Sequence, residues 1–288
     1  MINLKELKPV GSTIDRGISF IIYGNPGVGK TTLATTLPPE QTLIVNSEAG
    51  DGPLLGKGHI VFELIKFVED GEFEKTVEDL YKTLRTTDHP FKYVVLDNLS
   101  EIENQLLLSI TKRRGKEVPT IKEYGDVAFK MKEWVHLYRD LQYKGINVIF
   151  NAWEFPIELR SAEGNLLTLI LPKVSKSYAP NICGLVDVVG HMEVHEKSGK
   201  RWIRFRPNDQ FLCKSQFGGI GGANDQSGEP ADLMGVIQKL RSHDYGPAVT
   251  CRVKETPDNT TKVGRTQTTV VVQSGHDKRG NKSPSRKP

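Results

Sequence analysis

Residues 24–31 read Gly-Asn-Pro-Gly-Val-Gly-Lys-Thr, which meets G-x-x-x-x-G-K-[ST] at every fixed position. Such a loop needs a strand before it and a helix after it, and the flanking pattern supplies both. ISFIIYG (18–24) is a short, β-branched apolar run, read as a buried strand. The helix that opens within GKTT must stop at Pro38-Pro39, because proline cannot extend the hydrogen-bond ladder. Glycines let the backbone wrap so that successive N–H groups converge on one phosphate, and the helix N-terminus adds partial positive charge there. Gly24, Asn25, Pro26, Gly27, Val28, Gly29, Lys30, Thr31 and Thr32 are the expected nucleotide-binding residues. Lys30 is expected on the terminal phosphates and the Thr31 hydroxyl on Mg²⁺. ATP with Mg²⁺ is the expected ligand pair; no N-K-x-D base-reading motif occurs to favour GTP.

The body repeats the strand–helix rhythm. TLIVN (42–46), HIVFELI (59–65), YVVLD (93–97) and NVIFN (147–151) read as further strands. Helices are predicted over 73–87, 100–114 and about 124–143. The last carries Val127, Met131, Trp134, Val135, Tyr138 and Leu141 on one stripe. This alternation predicts an α/β fold, a mostly parallel central sheet flanked by helices. Two β-hairpins follow in the C-terminal half, at 155–172 and 186–207, and then a closing helix over 229–243. GGIGGAND (218–225) reads as a flexible linker.

Asp97 ends the strand YVVLD and is the expected partner of a Mg²⁺-bound water; it can equally cap the helix that follows. The next residue is Asn98, which cannot take a proton, so a carboxylate to orient water must come from elsewhere. Glu48, just beyond TLIVN, is the candidate, on the expectation that its strand lies beside the P-loop strand; an exposed loop acid is the plainer reading.

YGNPGVGKTT, LIVNSEAG, YVVLDNLSEI and YGDVAFKMKEWVHLYRDL before NVIFNAWEF together resemble the RecA-like recombinase core. More closely, the chain is similar to phage-encoded P-loop proteins of that group, which include Sak-four-type single-strand annealing proteins; the resemblance spans residues 15–220. It implies a RecA-like P-loop ATPase, with Glu48 activating water and Asn151 as the polar sensor of the γ-phosphate. Many phage relatives carry histidine where this chain has Trp153, and Asn151 as a simple strand-end turn former stays open. The resemblance also implies a homo-oligomer (ring or filament), single-stranded DNA as partner in recombination, annealing or replication, and a single-strand-binding protein as a further contact. Lys173 and Lys176 are placed to reach a neighbouring subunit or to lie in solvent, and both join Trp153 and Arg160 as candidate DNA contacts; for Trp153 core packing competes. KRRGK (112–116) is either a second basic DNA patch or a helix C-terminus with favourable dipole charges.

Three rivals remain open. An AAA+-type helicase loader or motor would place an acid after Asp97 and carry a helical lid. A small-molecule kinase would need an Arg-rich lid. A nucleotide-gated scaffold would bind DNA without turnover.

The net charge of +4 is unevenly spread: from Gly246 to Pro288 nine Lys/Arg face three Asp/Glu, leaving 30 basic and 32 acidic side chains in the rest. The organisation expected is therefore an ATPase domain over 1–245 and a basic, flexible tail over 246–288, with TTVVVQ (268–273) as a possible added strand. Cys183, Cys213 and Cys251 form no CxxC pair, which disfavours a zinc site or a disulfide framework. No signal-peptide pattern and no run of 18 apolar residues occurs, so a cytoplasmic protein without a membrane span is expected.

Overall fold

A computed structural model describes residues 14–48, 50–68, 72–160, 166–175, 178–196, 198–221 and 228–245. The tail from 246, with TTVVVQ and Cys251, lies outside the described residues, as does Lys176. The main sheet contains β1 (Ser19–Tyr23), β2 (Thr42–Asn46), β3 (Ile60–Glu63), β4 (Tyr93–Asp97), β5 (Asn147–Ala152), β8 (Val188–Val194), β9 (Arg201–Arg204) and the short β10 (Lys214–Ser215) and β11 (Glu229–Pro230). Its order is β11-β9-β8-β1-β5-β4-β2-β3, with β10 also paired to β8. The run from β8 to β3 is parallel throughout, whereas β9, β10 and β11 pair antiparallel. A separate two-stranded sheet joins β6 (Glu154–Arg160) to β7 (Leu166–Pro172), the first hairpin of the sequence reading.

Strand alternation sends successive side chains to opposite faces, and both faces are apolar. Ile21, Tyr23, Val94, Leu96, Val148 and Phe150 pack against α2 (Phe73–Thr86), α3 (Leu99–Arg113), α4 (Ile121–Asp140) and α5 (Ala179–Leu185). Phe20, Ile22, Val95 and Ile149 face α1 (Lys30–Ala34) and α6 (Leu233–Ser242). All six residues of the stripe predicted on the helix over 124–143 are buried, although Leu141 already belongs to a 3₁₀ turn, Leu141–Lys144.

Three expectations change. The P-loop helix ends at Ala34 rather than at the prolines, because the Thr35 and Thr36 hydroxyls donate to the carbonyls of Thr32 (2.7 Å) and Leu33 (2.8 Å) and divert the ladder. The closing helix starts only at Leu233, where Asp232 caps it through Gly235 N–H (3.0 Å); Glu229 and Pro230 pair instead with β9. In the glycine-rich segment read as a linker, Ile220 is buried against the α6 side of the core. The second hairpin forms as expected, β8 pairing antiparallel with β9, and β8 also pairs in parallel with the P-loop strand.

KRRGK proves to be a brace. Arg113 pairs with Glu74 (2.5 Å), Arg114 with Glu123 (2.7 Å) and Asp126 (2.5 Å), and Lys116 with Glu123 (2.9 Å). The Glu123 side chain is fully enclosed and also accepts from the Thr120 N–H (2.8 Å) and hydroxyl at the start of α4. The Thr120 hydroxyl, then Lys116 and Arg114, hold this carboxyl far below the ordinary glutamate range. A depressed folded pKa contributes stability that is complete above the unfolded value and is lost as pH falls through the folded one. Glu123→Gln is therefore expected to lower Tm at neutral pH. The gap from wild type should close as thermal melts are taken below the ordinary glutamate range.

Candidate active site

The C-terminal ends of β1, β4, β2 and β5 deliver the chemistry. After β1, the loop turns on Gly29, whose φ of +105° lies in the left-handed region, and Lys30 begins α1. Gly24 has no room for a side chain: a Cβ would stand 2.5 Å from the Met192 carbonyl oxygen on β8. Arg201 of β9 grips the outside of the loop, its Nε donating to the Val28 carbonyl at 2.8 Å.

Lys30 is only 7% exposed, and its ammonium donates to the Gly24 and Asn25 carbonyls, both at 2.9 Å. Three N–H donors are available, so one remains for a phosphate oxygen. Burial lowers the Lys30 pKa, and the carboxylates of Asp97, Glu48 and Glu154 oppose that shift. The charges of three acids thus act on one lysine at the end of the P-loop strand.

Asp97 is buried at the end of β4, and the Asn151 amide at the end of β5 donates to its Oδ1 at 3.1 Å. An ionised carboxylate only accepts, so the Asn151 NH₂ faces Asp97 and the amide oxygen faces away. That oxygen is buried and has no hydrogen-bond partner among the described residues. Asn151 thus holds the Asp97 carboxylate and keeps a carbonyl oxygen free to accept a hydrogen bond among the described residues. Asp97 does not cap α3; Asn98 does, its Oδ1 accepting the Glu101 N–H at 2.8 Å. The peptide between Asp97 and Asn98 is cis.

Glu48 does not come from a strand beside β1, as the sequence reading expected. Both β5 and β4 intervene between β1 and β2, because β5 pairs with β1 on one edge and β4 on the other. The loop after β2 closes the distance. Ser47 N–H donates to the Asp97 carbonyl (2.9 Å), and the Ser47 hydroxyl exchanges hydrogen bonds with the backbone of Asn98 (2.9 and 3.0 Å). Glu48 N–H then docks on the buried Asn46 side chain (3.1 Å). Glu48 Oε1 ends up buried and unpartnered among the described residues. Burial raises the Glu48 pKa, Asp97 adds to the rise, and Lys30 opposes it.

The donor set fits Mg²⁺ and a polyphosphate. Thr31 and Asp97 are hard oxygen donors, and Mg²⁺ characteristically takes one or two protein oxygens plus phosphates and waters. Among the described residues no group of three or more His, Cys, Asp or Glu could hold a metal ion. A triphosphate would also supply the charge that Lys30 now finds only in carboxylates.

A family model described as an AAA domain matches residues 16–217, about 70% of the chain. The chain belongs to the AAA domain family. Its fold is that of a P-loop NTPase, and the match identifies an AAA-type P-loop ATPase domain. No curated protein matches the chain. Every residue of the loop, strand ends and hairpins discussed so far falls inside the AAA domain; α6 and its cap lie beyond it.

The candidate DNA residues sit behind this site. Trp153 is half-buried rather than in the core, and the Lys173 ammonium lies 4.8 Å from its ring centroid. Lys173 thus covers a residue of its own chain. Arg160 is exposed at the far end of β6. Three residues escaped the sequence reading: Arg201, Glu154 and His191. An acid in WEFP (153–156) and a histidine in an apolar strand carry no local signal of a shared site; the fold brings them together by placing β8 beside the P-loop strand.

No helix among the described residues is long and apolar enough to cross a membrane.

Proposed function

We propose that this AAA domain is a Mg²⁺-dependent ATPase of the RecA-like type, acting on single-stranded DNA in recombination, annealing or replication, as in the phage proteins it resembles. The observation that carries the ATPase reading is the pairing of Asn98 with Glu48. The position after Asp97 holds a helix cap, and the proton acceptor is a buried, unpartnered carboxylate brought in by a different loop. Lys30 and Mg²⁺, held by Thr31 and by Asp97 through water, bind the triphosphate. Glu48 takes a proton from the attacking water, and the Asn151 oxygen accepts its second hydrogen.

Support for single-stranded DNA is the ring of Trp153, two residues from Asn151, with Lys173 over it. Flat rings and cations side by side are what stacking on a strand requires. Assembly of several copies around one strand belongs to the same reading. Full-length protein should hydrolyse ATP faster with an oligothymidylate than without it, and oligothymidylate binding should weaken linearly with log salt. Trp153→Ala should lose about 1–3 kcal/mol of that binding. Turnover without stimulation or salt-dependent binding would remove DNA and leave the ATPase; binding without turnover would leave a nucleotide-gated scaffold.

A further inference from the structure

The β6–β7 hairpin is not part of the main sheet; Phe155, Ile157, Leu169, Ile170 and Leu171 pack it on the core, and side-chain contacts at its base join it to β8. One hydrogen bond there links Glu154, the first residue of β6, to His191 of β8, Oε2 to Nε2 at 2.8 Å. Both side chains are shielded, with 13% and 6% of their surface exposed. His191 stands opposite Tyr23 in the β1–β8 register, and Tyr23 immediately precedes the P-loop. Glu154 is three residues past Asn151 and near enough to Lys30 to act on its charge.

We propose that Glu154 and His191 form a positioning pair for ATP hydrolysis, fixing the junction that carries Asn151 and Trp153 against the P-loop strand and passing the state of the phosphate site to the β6–β7 hairpin. The inference rests on the ATPase reading above.

The imidazole is linked to both strands of the hairpin, to β6 directly and to β7 through the segment around Phe211. It holds β6 through Glu154. Its face stacks on Phe211, with ring centroids 4.0 Å apart, and the segment around Phe211 is bonded to β7 through Ile170 N–H to Gln210 O (2.7 Å) and Leu212 N–H to Ile170 O (3.3 Å). Tyr23 packs on the other side of the imidazole, centroids 5.0 Å apart, and its hydroxyl lies 3.2 Å from the Ile170 carbonyl oxygen and 3.1 Å from that of Leu212. A shift of the P-loop strand is thus felt at the hairpin through direct contacts alone.

The chemistry is not that of a simple staple. An ionised Glu154 only accepts, so Nε2 carries the imidazole proton and Nδ1 is a bare acceptor. Nδ1 is buried without a hydrogen-bond partner among the described residues, with Glu193 Oε2 at 3.9 Å. A buried pair chosen for stability alone would be better replaced by apolar groups. Glu154 is also one of the carboxylates whose charge acts on Lys30, the cation a triphosphate must engage. When phosphate takes over the Lys30 charge, the electrostatic hold on Glu154 changes, and with it the grip on the hairpin.

Hydrogen exchange across β6 and β7 of the full chain, with and without a non-hydrolysable ATP analogue, reads this coupling. In wild type the analogue should slow exchange in both strands. Glu154→Gln keeps an acceptor for Nε2–H but removes the charge. It should leave KM within about 2-fold, lower kcat about 10-fold, and make hairpin exchange the same with and without analogue. His191→Ala should do likewise, and His191→Gln, whose amide can still donate to Glu154, should restore much of the response. A wild-type hairpin indifferent to bound analogue would overturn the inference while the ATPase reading stands. So would a Glu154→Gln protein that has a lower Tm but keeps the wild-type kcat and exchange response. Failure of wild type to bind the analogue at all would take down both.

Discussion

Lys30→Ala should bind Mg-ATP so weakly that turnover falls by about 10³-fold or more. The charges of three acids act on this lysine at the end of the P-loop strand, and its two hydrogen bonds tie the Gly24 and Asn25 carbonyls to the start of α1. Removing it leaves Asp97, Glu48 and Glu154 facing an incoming triphosphate without compensation, so the polyphosphate meets net repulsion where it now meets an ammonium. Both Lys30→Ala and Lys30→Met lose the loop's internal tie, and Lys30→Met, which keeps the apolar stem, controls for the lost packing. Both variants should fail in fluorescence titrations with a labelled ATP, and a Lys30→Met protein with wild-type Tm assigns the loss to charge rather than unfolding.

Glu48→Gln should do the opposite to binding. The amide keeps the shape and a hydrogen-bond acceptor, relieves repulsion with Asp97, and so holds ATP at least as well as wild type. Without a proton acceptor, kcat should fall by about 10²–10⁴-fold. The pH profile separates a base from a spacer. Because burial and Asp97 raise the Glu48 pKa, wild-type kcat should decline on acidification at a pH above the ordinary glutamate value, as the carboxylate is protonated and lost as acceptor. The residual activity of Glu48→Gln should show no such limb. Steady-state phosphate release over a pH series measures both.

Much of this site was legible because its residues stand in local patterns. The P-loop is contiguous, TLIVN and YVVLD coincide with β2 and β4 to the residue, and Glu48, Asp97 and Asn151 each follow or end an apolar run whose direction a parallel sheet dictates. Strand order was not legible. Nothing in NVIFN says that it inserts between the P-loop strand and YVVLD, and the expectation that β2 adjoins β1 failed for that reason. The same limit hid the partners from β8 and β9. Arg201 meets Val28 across 173 residues and His191 meets Glu154 across 37, and no periodicity spans such gaps. KRRGK had two readings, a patch for nucleic acid or a helix C-terminus, and Lys112 and Arg113 do close the last turn of α3. What the sequence hid is that its arginines and Lys116 are held by acids on α2 and α4.

Quenching a single turnover decides whether Glu48, supplied from the loop after β2, is the group that activates water. Enzyme in excess over Mg-ATP is stopped in acid after one wild-type turnover time, and the bound nucleotide is identified by chromatography. Wild type should yield ADP and phosphate, whereas Glu48→Gln should yield intact ATP at full occupancy. ADP from Glu48→Gln at the wild-type rate would contradict the assignment.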